Sequence, residues 1–269
     1  MERSIITSAS NQQIKHILQL QKKSKLRSEL GQFVIEGIKM YGEIPKDYIV
    51  STYVSETFYS EKIMNNEIGV EKYEIISDKV FGSISETITP QGILAIVKQP
   101  KYNFDNIIKK DRATLLFLDN LRDPGNLGTI IRTAEGAGID GIVLSKESVD
   151  VYNPKVIRST MGAIYRMPFI YEDNFATTLK EKYIDNGFEL YAAHLDGAKE
   201  YTKVNYPKKT GIIIGNEANG ISKEVVQVVN NMIKIPMEGK VESLNAAISA
   251  ALIIYEVYRQ HSLHYIDYI

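Results

Sequence analysis

The chain has 269 residues, 44% hydrophobic and 24% charged, a composition that excludes a disordered or fibrous protein. It has no cysteine, which rules out disulfides, thiolate nucleophiles and Cys-ligated zinc or iron–sulfur sites. Lys and Arg number 32 against 33 Asp and Glu, so the net charge of −1 does not by itself mark a nucleic-acid binder.

The first residues, MERSIITSASNQQIK, are too polar for the core of a signal peptide. No apolar run reaches the roughly 18 residues of a membrane span. The expectation is a cytoplasmic protein with no membrane partner. A helix-like stretch from Asn11 to Gln21 is followed by Lys22, Lys23, Lys25 and Arg27, a local basic surplus. Such a cluster is either a solvated helix end or a docking patch for RNA phosphates, and charge alone leaves both open.

Strands are predicted at Phe33 to Ile35, Tyr48 to Val54, Tyr73 to Ile76 and Ile93 to Val97, with helices between them. Residues 101–112, introduced by Pro100, break the pattern and read as a linker. Beyond it come strands at Thr114 to Leu118, Gly141 to Leu144, Glu189 to Ala193, Gly211 to Ile214 and Met232 to Ile235. Helices fit Leu127 to Ala137, Pro154 to Met161, Asn174 to Asp185, Ser222 to Val229 and Leu244 to Gln260. This alternation predicts an α/β protein with a mostly parallel sheet covered on both faces. The predicted organisation is a smaller α/β domain over 1–100 and a larger one over 113–269.

Three polar loops follow strands of the larger domain. In Asp119 to Ala134, a Pro-Gly turn leads into a helix for which Asn126 is a good N-cap, and Arg132 follows six residues later. A helix start of this kind suits a phosphate, whereas a plain capped helix with a snorkelling arginine explains it equally well. In Ile212 to Ser222, a buried strand runs into Gly215-Asn216-Glu217 and Gly220. This loop lacks both the GK[ST] of a Walker loop and the GxGxxG of a dinucleotide fingerprint. In Ile235 to Ala247, Ile235-Pro236-Met237 leads to Ser243, the expected cap of a long helix. Asn245 is then placed inside that helix, where an amide is a poor helix former.

Taken together, these loops resemble the SpoU (TrmH-like) family of RNA ribose 2′-O-methyltransferases of the SPOUT class. The likeness spans roughly residues 113 to 260 and includes Asn153 to Ala163 and His194-Leu195-Asp196-Gly197-Ala198. More weakly, Phe33-Val34-Ile35-Glu36-Gly37-Ile38-Lys39 is similar to the start of the L30e-like RNA-binding domain found in many members. The resemblance implies a trefoil knot, a homodimer packed through the helices after the first and third motifs, and S-adenosylmethionine as cofactor with no metal. It implies cofactor binding by Gly215, Ile235 and Leu244, with Asn216, Met237 and Leu195 beside them. It places Arg132, Asn126, Glu217, Ser243 and Asn245 at the catalytic centre, with Glu217 orienting Arg132 or another donor. Arg158 becomes a candidate phosphate clamp, and Lys22, Lys23, Lys25 and Arg27 candidate RNA contacts. Arg122, before Asp123-Pro124-Gly125, departs from the usual pattern. The implied activity is 2′-O-methylation of a ribose in structured RNA, with ribosomal RNA favoured. A tRNA methyltransferase, a catalytically silent RNA-binding homologue and a dinucleotide-dependent oxidoreductase are the alternatives.

Overall fold

A computed structural model describes residues 4–266 except Asp196, Ala198 and Asn230, with backbone only for 263–266. The chain forms two compact units, Met1–Lys101 with Tyr152–Tyr165, and Tyr102–Val151 with Arg166–Ile269.

The first unit is built on β1 (Ile5–Ile6), β2 (Gln32–Glu36), β3 (Ile49–Ser55), β4 (Glu74–Ile76) and β5 (Ile93–Lys98) in the order β1-β4-β3-β5-β2. This sheet is mixed, because β5 runs antiparallel to both β2 and β3, while β4 is parallel to β1 and β3. The helix Gln12–Lys22 starts where the Asn11 side chain accepts from Gln13 N at 2.8 Å, and it buries Ile14, Ile17 and Leu20 against the sheet core. Gly31, at φ 60°, ends the next helix, Ser24–Leu30.

Arg27 is not an RNA-facing cation. It is only 4% exposed, and its Nη1 donates to the carbonyls of Leu20 (2.6 Å) and Gln21 (2.9 Å). The guanidinium thus satisfies carbonyls that the end of the preceding helix leaves open. Lys22, Lys23 and Lys25 are exposed.

Residues 152–165 belong to this unit although the sequence suggested a continuous second domain from 113. The ring of buried Phe33 lies 4.7 Å from that of Tyr152 and 6.3 Å from that of Tyr165, and the helix Pro154–Thr160 packs on β2. Arg158 on that helix has its Nη1 3.9 Å from Glu86 Oε2.

The second unit is a seven-stranded, wholly parallel sheet. Its strands are β6 (Ala113–Leu118), β7 (Gly141–Ser145), β8 (Phe169–Glu172), β9 (Glu189–Ala193), β10 (Lys199–Glu200), β11 (Lys209–Ile214) and β12 (Asn231–Lys234). The order is β10-β12-β9-β11-β6-β7-β8. Every residue of β6 and β7 is buried, as central strands covered on both faces require. The expected linker is structured: the helix Phe104–Ile108, capped by Asn103, buries Phe104, Ile107 and Ile108 in the same core as Leu115 and Phe117.

The direction of winding reverses at β6, since the chain moves outward through β7 and β8 and then returns to lay β9, β11 and β12 on the other side. In parallel sheets, crevices for ligands open at such switch points, beyond the carboxyl ends of the strands. The loops after β6, β11 and β12 carry the three motifs and all leave from that end.

Candidate active site

The loop after β6 is pinned at each residue. Asn120 N donates to Ser145 Oγ (2.8 Å), Leu121 N to Ser148 Oγ (3.2 Å), and Arg122 N and Asp123 N to the two carboxylate oxygens of Glu217 (3.3 and 3.1 Å). Asn120 adopts φ 56°, a left-handed conformation uncommon outside glycine, and its carbonyl accepts from Asn216 Nδ2 at 2.8 Å.

The helix after this loop, Pro124–Gly136, begins two residues before the expected cap. Asp123 caps it, its Oδ1 accepting from Asn126 N at 2.7 Å, and Pro124 occupies the first turn, where a missing N–H costs nothing. Asn126 is thereby inside the first turn, and its side chain is released for other work. Its Nδ2 donates to Glu217 Oε1 (3.0 Å) and its Oδ1 accepts from Asn245 Nδ2 (2.8 Å).

Asn245, rather than Ser243, caps the C-terminal helix Ala246–Ile266, its Oδ1 accepting from Ala247 N at 2.8 Å and Ile248 N at 3.3 Å. The apparent conflict of an amide inside a helix disappears, because Asn245 lies just outside it. Ser243 is exposed and precedes the cap by two residues. A continuous chain of hydrogen bonds, Glu217 to Asn126 to Asn245, joins the three motif loops.

Partial burial pushes the Glu217 carboxyl up. The bonds it accepts from Asn126 and from the backbone of Asp123 and Arg122 outweigh that and hold it below the usual carboxylate value. Glu217 is therefore an ionised strut for the β6 loop. Of the two options the resemblance left open, Arg132 or another donor, its hydrogen bonds go to other donors: Asn126 and the backbone of Asp123 and Arg122. Arg132 is exposed on the helix Pro124–Gly136 and makes no hydrogen bond or ion pair among the described residues.

Asp119, which sequence reasoning passed over, is a buried carboxylate accepting from Ser222 N at 2.7 Å, and so ties the β6 and β11 loops together. Its position next to the last residue of a buried strand was the available signal.

Gly215, expected to line the cofactor site, also meets a packing requirement of its own loop. A Cβ there would lie 2.3 Å from the carbonyl carbon of Gly220 and 2.4 Å from Ile221 N. Its bare backbone makes room for the loop to double back, closed by paired Asn216–Gly220 backbone hydrogen bonds of 2.8 and 2.9 Å. Gly197 is similar, since a Cβ would meet Ile233 C at 2.5 Å, packing the β9 loop onto β12. Leu195 in that loop is exposed, while Asp196 and Ala198 lie outside the described residues.

Residues 235–244 run from the end of β12 to Asn245, which meets Asn126 at the head of the helix after β6. No backbone–backbone hydrogen bond involves them among the described residues. Ile235, Met237 and Leu244 are half-buried along this span. A stretch with open backbone donors and acceptors and apolar side chains suits a purine recognised at its edges and held by its faces. The residues expected to hold the cofactor fit such a group.

Among the described residues, no group of three or more His, Asp or Glu side chains could hold a metal ion. No helix is long and apolar enough to cross a membrane.

A family model described as the SpoU rRNA Methylase family matches residues 113–255, and one described as the MRM3-like substrate binding domain matches residues 11–95. The chain is 30% identical over 254 residues to the 23S rRNA (guanosine(2553)-2′-O)-methyltransferase RlmP of Bacillus subtilis, covering 94% of this chain and 98% of that one. Among solved structures, it resembles the AdoMet-bound rRNA methyltransferase from Sinorhizobium meliloti with a TM-score of 0.80 and 27% identity, covering 95% and 97% of the two chains. An RNA 2′-O ribose methyltransferase gives a TM-score of 0.81 at 25% identity, with 96% and 100% covered.

Proposed function

The chain belongs to the SpoU rRNA methylase family, and from that premise we propose that it methylates a ribose 2′-oxygen of ribosomal RNA with S-adenosylmethionine. The observation that carries this reading is the Glu217–Asn126–Asn245 chain, which binds the three motif loops into one polar centre at the switch point of the sheet.

The cofactor supplies a methyl group already activated by its sulfonium charge. The protein's task is therefore to exclude water and hold the 2′-oxygen in line with the methyl carbon. Residues 235–244 and the Gly215–Gly220 loop would hold the cofactor. Arg132, with no competing partner among the described residues, would hold the ribose hydroxyl or its adjacent phosphate. A guanidinium is a poor general base, so Arg132 acts by charge and position, and the proton leaves to solvent.

The first unit supports an rRNA substrate over tRNA, given its match to a substrate-binding domain and the full-length likeness to a 23S rRNA enzyme. Exposed Lys22, Lys23 and Lys25, with Arg158, are the proposed phosphate contacts there. A homodimer is supported by the C-terminal helix: Ile248, Leu252, Tyr255 and Tyr258 are 51%, 37%, 48% and 50% exposed along one apolar stripe. The trefoil knot and a cytoplasmic location are further parts of this reading. The knot is supported by the insertion of β11 between β6 and the earlier β9.

The deciding test is methyl transfer from radiolabelled S-adenosylmethionine to in vitro transcribed 16S and 23S rRNA and to unmodified tRNA. It is paired with a map of 2′-O-methyl sites on RNA from cells with and without the gene. Label in rRNA at one site that vanishes with the gene is expected. Label confined to tRNA, or no label, overturns the proposal.

A further inference from the structure

Arg122 sits in the first motif, next to Asp123, the cap of the following helix. It is exposed on the β6 loop, yet it is not a free-swinging surface arginine. Its Nε donates to Asn120 Oδ1 at 2.8 Å, and its own backbone N is held by Glu217 at 3.3 Å. Asn120 is itself fixed by Ser145 Oγ on its N–H and Asn216 Nδ2 on its carbonyl, in a left-handed conformation at φ 56°. Left-handed backbone at a non-glycine residue persists only where its surroundings over-determine it. Here the result is a carboxamide oxygen aimed at one edge of a guanidinium.

Occupying Nε fixes the plane of the group and leaves both Nη nitrogens without a partner among the described residues. That is the geometry in which arginine grips a phosphodiester through two parallel N–H···O bonds. The fork is two residues from the first turn of the helix that carries Asn126, on the loop that Glu217 ties to the catalytic centre. We propose that Arg122 is a substrate-binding residue that clamps a backbone phosphate of the RNA beside the target ribose, with Asn120 as the positioning residue that presents it. This rests on the proposed methyltransferase function.

The test compares wild type with Arg122→Ala, Arg122→Lys and Asn120→Gly, using in vitro transcribed 23S rRNA and S-adenosylmethionine. Glycine at 120 keeps the left-handed backbone without strain and removes only the orienting oxygen. Arg122→Ala is expected to weaken RNA binding and raise KM for RNA about tenfold or more, and to lower the slope of log affinity against log salt by about one. Lysine should restore the salt slope but little of the KM, and Asn120→Gly should keep the slope while raising KM. Cofactor affinity by calorimetry should not move.

If wild type labels rRNA and Arg122→Ala matches it in RNA affinity and salt slope, the clamp does not exist. If cofactor affinity falls instead, the fork serves the cofactor's carboxylate and the proposal is overturned. A wild type that neither binds nor labels rRNA removes the functional reading and the clamp with it. RNA binding without labelling overturns the methyltransferase reading alone, because the salt slope still reports on Arg122.

Discussion

Asn245 Nδ2 donates to Asn126 Oδ1 at 2.8 Å across 119 residues of sequence, and each asparagine spends its remaining polar atom on a different task. Asn126 passes its own N–H to Glu217, and Asn245 caps the C-terminal helix. An amide donates from its nitrogen and accepts at its oxygen, two separate atoms, as such a junction requires.

That arrangement makes Asn126→Asp a severe change. It sets a carboxylate against ionised Glu217 in place of a donor, and activity on rRNA should fall at least about a hundredfold, comparable to losing one preorganised group. Because protonating one carboxyl relieves the repulsion, the deficit should narrow as pH drops from 8 toward 5. An activity ratio to wild type that stays constant over this range would contradict the role given to Glu217.

Arg132→Ala should leave the melting temperature and cofactor affinity near wild type, because the side chain is exposed and without partners among the described residues, but abolish most methyl transfer. Arg132→Lys keeps the charge and loses the planar fork, and should remain about a hundredfold or more below wild type. A large drop in melting temperature with activity retained would make the residue structural instead.

Gly215→Val should lower stability by about 1–3 kcal/mol or more, as overpacking against backbone does. The loss follows from the 2.3 Å approach to Gly220, with weaker cofactor binding as a secondary result of a displaced loop. Thermal melts with and without cofactor separate the two effects. Unchanged stability with lost binding would return Gly215 to direct cofactor contact.

Glu217 has a folded-state pKa below its ordinary 4.5. The stability it contributes is therefore fully present above about pH 4.5 and is lost as pH falls through the lowered value. Glu217→Gln should accordingly melt below wild type at pH 6, and the gap should close as the pH is lowered below 4.5. A gap independent of pH would show that the carboxylate's charge contributes nothing.

Leu252→Asp places a charge in the middle of the exposed stripe of the C-terminal helix. Light scattering should show the wild type as a dimer at micromolar concentration and the variant as a monomer with an unchanged circular dichroism spectrum. A monomeric wild type would leave the stripe for another partner.

Much of the second unit was legible in the sequence because its strands are short apolar runs bounded by turn residues. β6, β7, β9, β11 and β12 all lie within a residue or two of their predicted positions. β1 and β10 have only two residues each and carry no readable period, and β8 is half-buried throughout with no alternation. Both misplaced caps have one cause: Asp123 and Asn126, like Ser243 and Asn245, offer two capping side chains within a turn, and local chemistry alone did not choose between them. Pro124 was the missed signal, since proline favours the first helical position and so points to Asp123. Arg27 was misread because it stands among basic neighbours. Extended Lys23 breaks the helix before Ser24, so the period of the first helix does not reach Arg27 and gave no sign that it turns back on that helix's end. No local pattern could have announced that Glu217 and Asn126, 91 residues apart, share a hydrogen bond.

The excursion of residues 152–165 means that the polypeptide passes between its two units three times. A protease that cuts only near Lys101 would release 1–101 covalently, yet its packing on 152–165, still joined to the second unit at both ends, would hold it, so an intact apparent mass in native electrophoresis would conceal the nick. A truncation starting at Tyr102 would strip Tyr152 and Tyr165 of the Phe33 ring they pack against and expose apolar surface to water. Such a fragment should aggregate, whereas one that also replaces 152–165 with a short polar turn should stay dispersed.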